Sequence, residues 1–79
     1  MRLTSRLFRW ADARDRDEDM ALLTPLGFEF QHAEPSGWDH YTRGNEEVWT
    51  GPGDNWKHII DGKVNKGQSH DALKAELSK

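Results

Sequence analysis

From Gly27 onward the pattern of the chain changes from a period of 3.6 residues to a period of two in three stretches. Phe28, Phe30 and His32 alternate with Glu29 and Gln31; Trp38, His40 and Thr42 alternate with Asp39, Tyr41 and Arg43; Trp56, His58 and Ile60 alternate with Lys57, Ile59 and Asp61. Successive side chains of a strand point to opposite faces, so this period commits the stretches to strands with one apolar face. The segments between them carry turn chemistry. Glu34-Pro-Ser-Gly37 is a loop, Gly44-Asn45 suits a two-residue hairpin with glycine where φ must be positive, Gly51-Pro-Gly-Asp-Asn55 is a wider turn, and Asp61-Gly62 is a type I′ signal. The pattern predicts an antiparallel meander in which Trp38–Arg43 pairs with Glu47–Thr50, and Trp56–Ile60 with Lys63–Val64.

Two short helices are predicted to flank the strands. Asp17, Glu18 and Asp19 supply a negative first turn, Met20 and Leu23 an apolar face, and Pro25 with Gly27 a stop, which places a helix over about 17–24. Near the other end Ser69 is a good N-cap, Asp71 sits in the first turn, and Leu73 and Leu77 lie one turn apart on one face. Ahead of both, Leu3, Leu7, Trp10 and Ala11 have helical spacing, while the Arg and Thr alternation in the same residues also suits an edge strand. The expected fold is α+β: a small antiparallel β-meander of four to five strands covered by short helices. It is expected to be one domain over residues 1–79, with residues 1–19 a charged N-terminal segment and 20–79 a compact helix–meander–helix core.

A chain of 79 residues has room for one core, and hydrophobic residues make up only 34% of it. Four Trp, one Tyr and three Phe must therefore fill most of the interior. Phe30, Trp38, Trp56, Ile60, Leu73 and Leu77 are the expected core. The absence of cysteine excludes a disulfide scaffold, a thiolate zinc site and a thiol nucleophile. No stretch approaches the roughly 18 apolar residues of a membrane span. Arg2, Arg6 and Arg9 faintly imitate a transit peptide, but an acidic run follows at once, and a cytoplasmic location is expected.

Three constellations bear on chemistry. His32, His40 and His58 each follow an aromatic by two residues on an expected strand, and side by side they would suit a divalent metal. None of them has a tight ligand spacing, so no metal or other cofactor is expected. Acid–base catalysis needs a histidine paired with a carboxylate, but Asp39 and His40 are strand neighbours and point to opposite faces. No hydrolase, metalloprotease, Walker or dinucleotide motif is present, and catalytic activity is not expected. Trp38, Tyr41, Trp49 and Trp56 with Arg43 and Lys57 resemble a stacking platform for unpaired bases. A net charge of −3 and a pI near 5.7 offer no overall basic field, so direct nucleic-acid binding is not expected.

Two family resemblances add to this reading. The order helix, three strands, helix, with Leu26-Gly-Phe28, Gly37-Trp-Asp-His-Tyr41 and a late Leu73/Leu77 helix, resembles the layout of HicA-type toxins. That resemblance implies a double-stranded-RNA-binding-like fold and an mRNA interferase with His40 in the catalytic position, although the family's Ser-His pair is missing. The Trp-x-His-Tyr, Gly-Asn, Val-Trp and Trp-x-His-Ile pattern, with the small size, acidity and lack of cysteine, is similar to small phage-borne inhibitors of the anti-CRISPR type. This second resemblance implies a non-catalytic protein that covers a basic nucleic-acid-binding surface of a host protein or ribonucleoprotein complex. The residues expected to make that contact are the acids Asp12, Asp15, Asp17, Glu18 and Asp19, extended by Glu29, Glu34, Glu46 and Glu47, with association steered by charge.

Overall fold

The computed structural model describes residues 16–79. A helix, α1, covers residues 16–23, and the single turn Thr24–Leu26 closes it. Five strands follow: β1 (Glu29–Ala33), β2 (Asp39–Arg43), β3 (Glu46–Thr50), β4 (Asn55–Ile60) and β5 (Lys63–Gln68), then a second helix, α2 (His70–Leu77). The strands form one sheet in the order β1-β2-β3-β4-β5, and every neighbouring pair is antiparallel. The α+β meander expected from the alternation is therefore present. Both predicted hairpins form, and β5 continues past Val64 to Gln68. The expected character of residues 1–11 and the positions of Asp12 and Asp15 lie outside the described residues.

The turns work as their residues require. Asp61 and Gly62 have φ of 51° and 77°, the double positive φ of a type I′ hairpin, and Gly44 takes φ 59° at the first position of the β2–β3 turn. Ser69 caps α2 by accepting a hydrogen bond from the Ala72 amide at 3.1 Å.

Both helices cover the same side of the sheet. Leu23 of α1 and Leu73 of α2 close over Phe28, Tyr41, Val48 and Trp56, with Met20, Leu22, Phe30, Ala72 and Leu77 packed around them. Of the expected core, Trp56 and Leu73 are buried, while Phe30, Trp38, Ile60 and Leu77 are half-buried. For Trp38 the cause lies in β2, whose alternation is in the opposite phase to the one its Trp and His suggest. Asp39, Tyr41 and Arg43 face the helices, and Trp38, His40 and Thr42 face away.

That inversion is tolerated because the two charged groups turned inward have partners, while the Tyr41 hydroxyl is buried with no hydrogen-bond partner among the described residues. The Arg16 guanidinium holds both Asp39 carboxylate oxygens, at 3.1 and 3.2 Å. Arg43 lies 4.4 Å from the Phe28 ring centroid, donates to Glu46 Oε1, and reaches the Leu26 carbonyl at 2.7 Å. Tyr41 is fully buried between these groups. Its burial, reinforced by the Asp19 and Asp39 carboxylates, pushes the phenol pKa well above its usual value. In β1 a bulge between Phe30 and His32 shifts the phase, so that Phe30 faces the core and His32 the opposite side.

Candidate functional site

The helix-free side of the sheet carries one row of side chains through all five strands. His32 of β1 pairs with His40 of β2, His40 with Trp49 of β3, Trp49 with Lys57 of β4, and Lys57 with Lys66 of β5. The His40 and Trp49 rings stack at 4.0 Å with an interplanar angle of 18°, and His32 meets both edge-on at 5.2 and 5.9 Å. Beside this row Trp38 lies flat on Gly51. An added methyl there would sit 2.6 Å from two atoms of the indole, so glycine is what lets the ring approach the strand. The Lys57 ammonium is 4.8 Å from the Trp38 centroid and 5.5 Å from that of Trp49.

The histidines do not converge. His32 and His40 face outward, whereas His58 is buried beneath the helices, so the three imidazoles cannot share one ion. Among the described residues no group of three or more His, Asp or Glu side chains is placed to hold a metal. His40 Nε2 lies 2.9 Å from Glu47 Oε1, and its Nδ1 is buried with no hydrogen-bond partner. His58 lies between two carboxylates, with Nδ1 2.9 Å from Glu76 Oε2 and Nε2 2.9 Å from Glu46 Oε2. The His58 hydrogen bond, helped by Asn65 and Lys79, draws the Glu76 carboxyl down to about 2. Burial pushes the Glu46 carboxyl up, but hydrogen bonds from His58 and Arg43 outweigh it, and the net shift is downward.

The expected contact acids divide into several groups. Asp17 and Glu18 are exposed on α1, and Glu29 is exposed on β1. Glu34, 41% exposed, follows β1 and lies 3.5 Å from His32. The Arg16–Asp39 pair, with Arg16 also 5.5 Å from the Phe30 centroid, ties α1 over β1 and β2, and Glu18 lines a groove between the two helices with Leu22, His70 and Lys74. Asp19 is mostly covered, 14% exposed, with Oδ1 3.7 Å from His70 Nε2. A cleft of about 210 Å³ between α1 and the β1–β2 loop is lined by Arg16, Asp19, Glu34, Asp39 and Thr50. Glu46 is turned under the helices, and Glu47 is on the open face against His40.

The stacking-platform residues also separate: Trp38, Trp49 and Lys57 face outward, and Tyr41, Arg43 and Trp56 face inward. Sequence reasoning missed Lys66, which stands directly opposite Lys57 on the open face. The signal for it was present, because a two-residue turn at Asp61-Gly62 sets Ile60 against Lys63 and so Lys57 against Lys66. No helix among the described residues is long and apolar enough to cross a membrane. Compared with known proteins, the chain matches no family model, no curated protein and no solved structure.

Proposed function

We propose that the chain is a small non-catalytic binding protein that docks, through an acidic flank, on a basic nucleic-acid-binding surface of a larger protein or ribonucleoprotein complex, in the manner of phage-borne inhibitors. The observation that supports this most is the separation of charge across the sheet. Asp17 on α1, Glu29 on β1 and Glu34 in the loop after it belong to the β1 end of the sheet or the helix above it, and Glu18 lines a groove between the helices, while Lys57, Lys63 and Lys66 lie on β4 and β5 at the other end. A charge separation of this kind orients an approaching basic surface before contact, and it matters more to association rate than to final affinity. The cleft beside α1 gives such a surface a place to insert a lysine or arginine side chain.

The rival HicA-like reading needs His40 as a proton-transfer group. With Nε2 on Glu47 and Nδ1 buried, His40 is built as a stacking residue beside Trp49, which favours the binding reading.

The test compares wild type with the triple variant Asp17→Lys, Glu18→Lys, Glu34→Lys in capture from host lysate, with and without nuclease. The captured partner is then purified and assayed for loss of its bound nucleic acid. The expected result is a partner displaced from nucleic acid by wild type, bound much more slowly by the triple variant, and bound normally by His40→Ala. Equal binding by the triple variant, or RNA cleavage that depends on His40, overturns the proposal.

A further inference from the structure

The open face holds an arrangement that the acidic flank does not explain. Lys57 and Lys66 stand directly opposite each other on β4 and β5. Like charges in that position repel. Among the described residues no carboxylate lies within ion-pair distance of either, although acids pair with His32, His40, His58, Arg16, Arg43 and Lys79. Next to the two ammonium groups is a groove of about 310 Å³ lined by Trp38, Asn55, Trp56, Lys57, Lys66 and Gly67. One face of the Trp38 indole lies on Gly51, and the Lys57 ammonium is above the ring.

We propose that this groove binds single-stranded nucleic acid, one base stacking on Trp38 and the adjoining phosphates lying on Lys57 and Lys66. The base takes the place of the ammonium over the indole, and the ammonium moves to the phosphate. Both halves of the site are used only by a ligand that joins a planar ring to a repeating anion. An acidic peptide would neutralise the lysines and leave the indole and its groove empty. The acidic overall balance is no obstacle, since charges at the α1/β1 flank are screened over about 8–10 Å at ordinary salt. This inference is independent of the acidic-flank reading.

The test is a fluorescence-anisotropy titration at about 50 mM salt with a labelled oligothymidylate of roughly 12 nucleotides, a length within the site sizes of such surfaces. The comparison ligands are an abasic oligomer of equal length, a duplex, and poly-glutamate. Stacking on one aromatic ring is worth about ten-fold in affinity or more. The oligothymidylate is therefore expected to bind at least about ten-fold tighter than the abasic oligomer, with Trp38→Leu removing that preference. Lys57→Gln with Lys66→Gln, surface changes that leave the circular dichroism unchanged, should weaken binding and lower the salt slope by about 1.4, or 0.7 for each phosphate no longer neutralised. Asp17→Lys with Glu18→Lys should not weaken it, so a failure of the acidic-flank reading leaves this result standing. The proposal is overturned by absence of binding, by abasic oligomer or poly-glutamate binding as well as oligothymidylate, or by lysine variants that bind like wild type.

Discussion

Gly67 offers the sharpest test of how the core is assembled. A methyl group built on it would press on Trp56 Cζ2 and lie 2.7 and 2.9 Å from Cε2 and Cη2. Carbon atoms in contact prefer about 3.5–4.0 Å, so the indole would have to retreat by close to an ångström. It has little freedom to do so. Trp56 is 5% exposed, belongs to the main cluster, and its Nε1 donates to the Ser69 carbonyl at 3.1 Å. Overpacking of this kind costs about 1–3 kcal/mol, and a ring held by both packing and a hydrogen bond belongs at about 2–3. A domain this small has only about 3–5 kcal/mol in hand, so Gly67→Ala should lower the melting temperature by roughly 10–20 °C. Urea denaturation followed by circular dichroism, with an unchanged m-value, measures the loss directly. Trp56→Phe removes the outer part of the indole, so in that background Gly67→Ala should cost at least about 1 kcal/mol less. Strand propensity alone predicts the opposite sign, since alanine exceeds glycine by about 0.5–1 kcal/mol in a strand. A loss under about 0.5 kcal/mol, or one unaffected by Trp56→Phe, refutes the close approach of Gly67 and Trp56.

The two faces should answer tryptophan removal differently: Trp56→Ala should cost about 3–5 kcal/mol, and Trp49→Ala, which loses the stack on His40, about 1–2, both read by urea denaturation. Glu46 and Glu76 have folded-state pKa values below their usual ones, so their stabilisation is complete above about pH 4.5 and drains away as pH falls toward 2. The denaturation midpoint should therefore drop across that window, and drop less in Glu76→Gln; parallel profiles would show that Glu76 does not carry the effect. Ser69 combines a cap hydrogen bond with φ 89° and ψ 145°, a region that favours glycine. Ser69→Ala should cost about 1 kcal/mol while Ser69→Gly costs nothing or stabilises, and thermal melts in which the two variants lose equally would contradict the strain.

Element type and order were legible because each rests on local chemistry. Period-2 alternation, the positive-φ turns at Gly44 and Asp61-Gly62, and the Ser69 cap each act within a few residues. What local chemistry does not determine is which of a strand's two faces turns inward. Gly37-Trp-Asp-His-Tyr41 and Asn55-Trp-Lys-His-Ile59 share the pattern Trp-x-His, yet Trp38 and His40 face outward while Trp56 and His58 face inward. The first is set by Asp39 bonding to Arg16, 23 residues away, and the second by His58 bonding to Glu46 and Glu76, 12 and 18 residues away. A hydrophobicity pattern marks Asp39 as a surface residue because its partner is on another element.

The same distinction governs the candidate surfaces. Counting outward from the two tight turns puts His40 opposite Trp49 and Lys57 opposite Lys66, so half of the open-face row follows from the sequence. The link from Trp49 to Lys57 crosses the irregular turn at Pro52–Asp54, whose length does not set a register, and only the fold joins the imidazole–indole pair to the lysine pair. Net charge misled for a related reason. It sums over a molecule in which Glu29 and Glu34 lie toward one edge of a five-stranded sheet and Lys57, Lys63 and Lys66 toward the other. At strand spacings near 4.8 Å the outer strands are almost two screening lengths apart, and a ligand at one flank feels little of the other. Each flank can therefore present its own charge, and a chain of net charge −3 can carry both an acidic docking edge and a cationic aromatic groove.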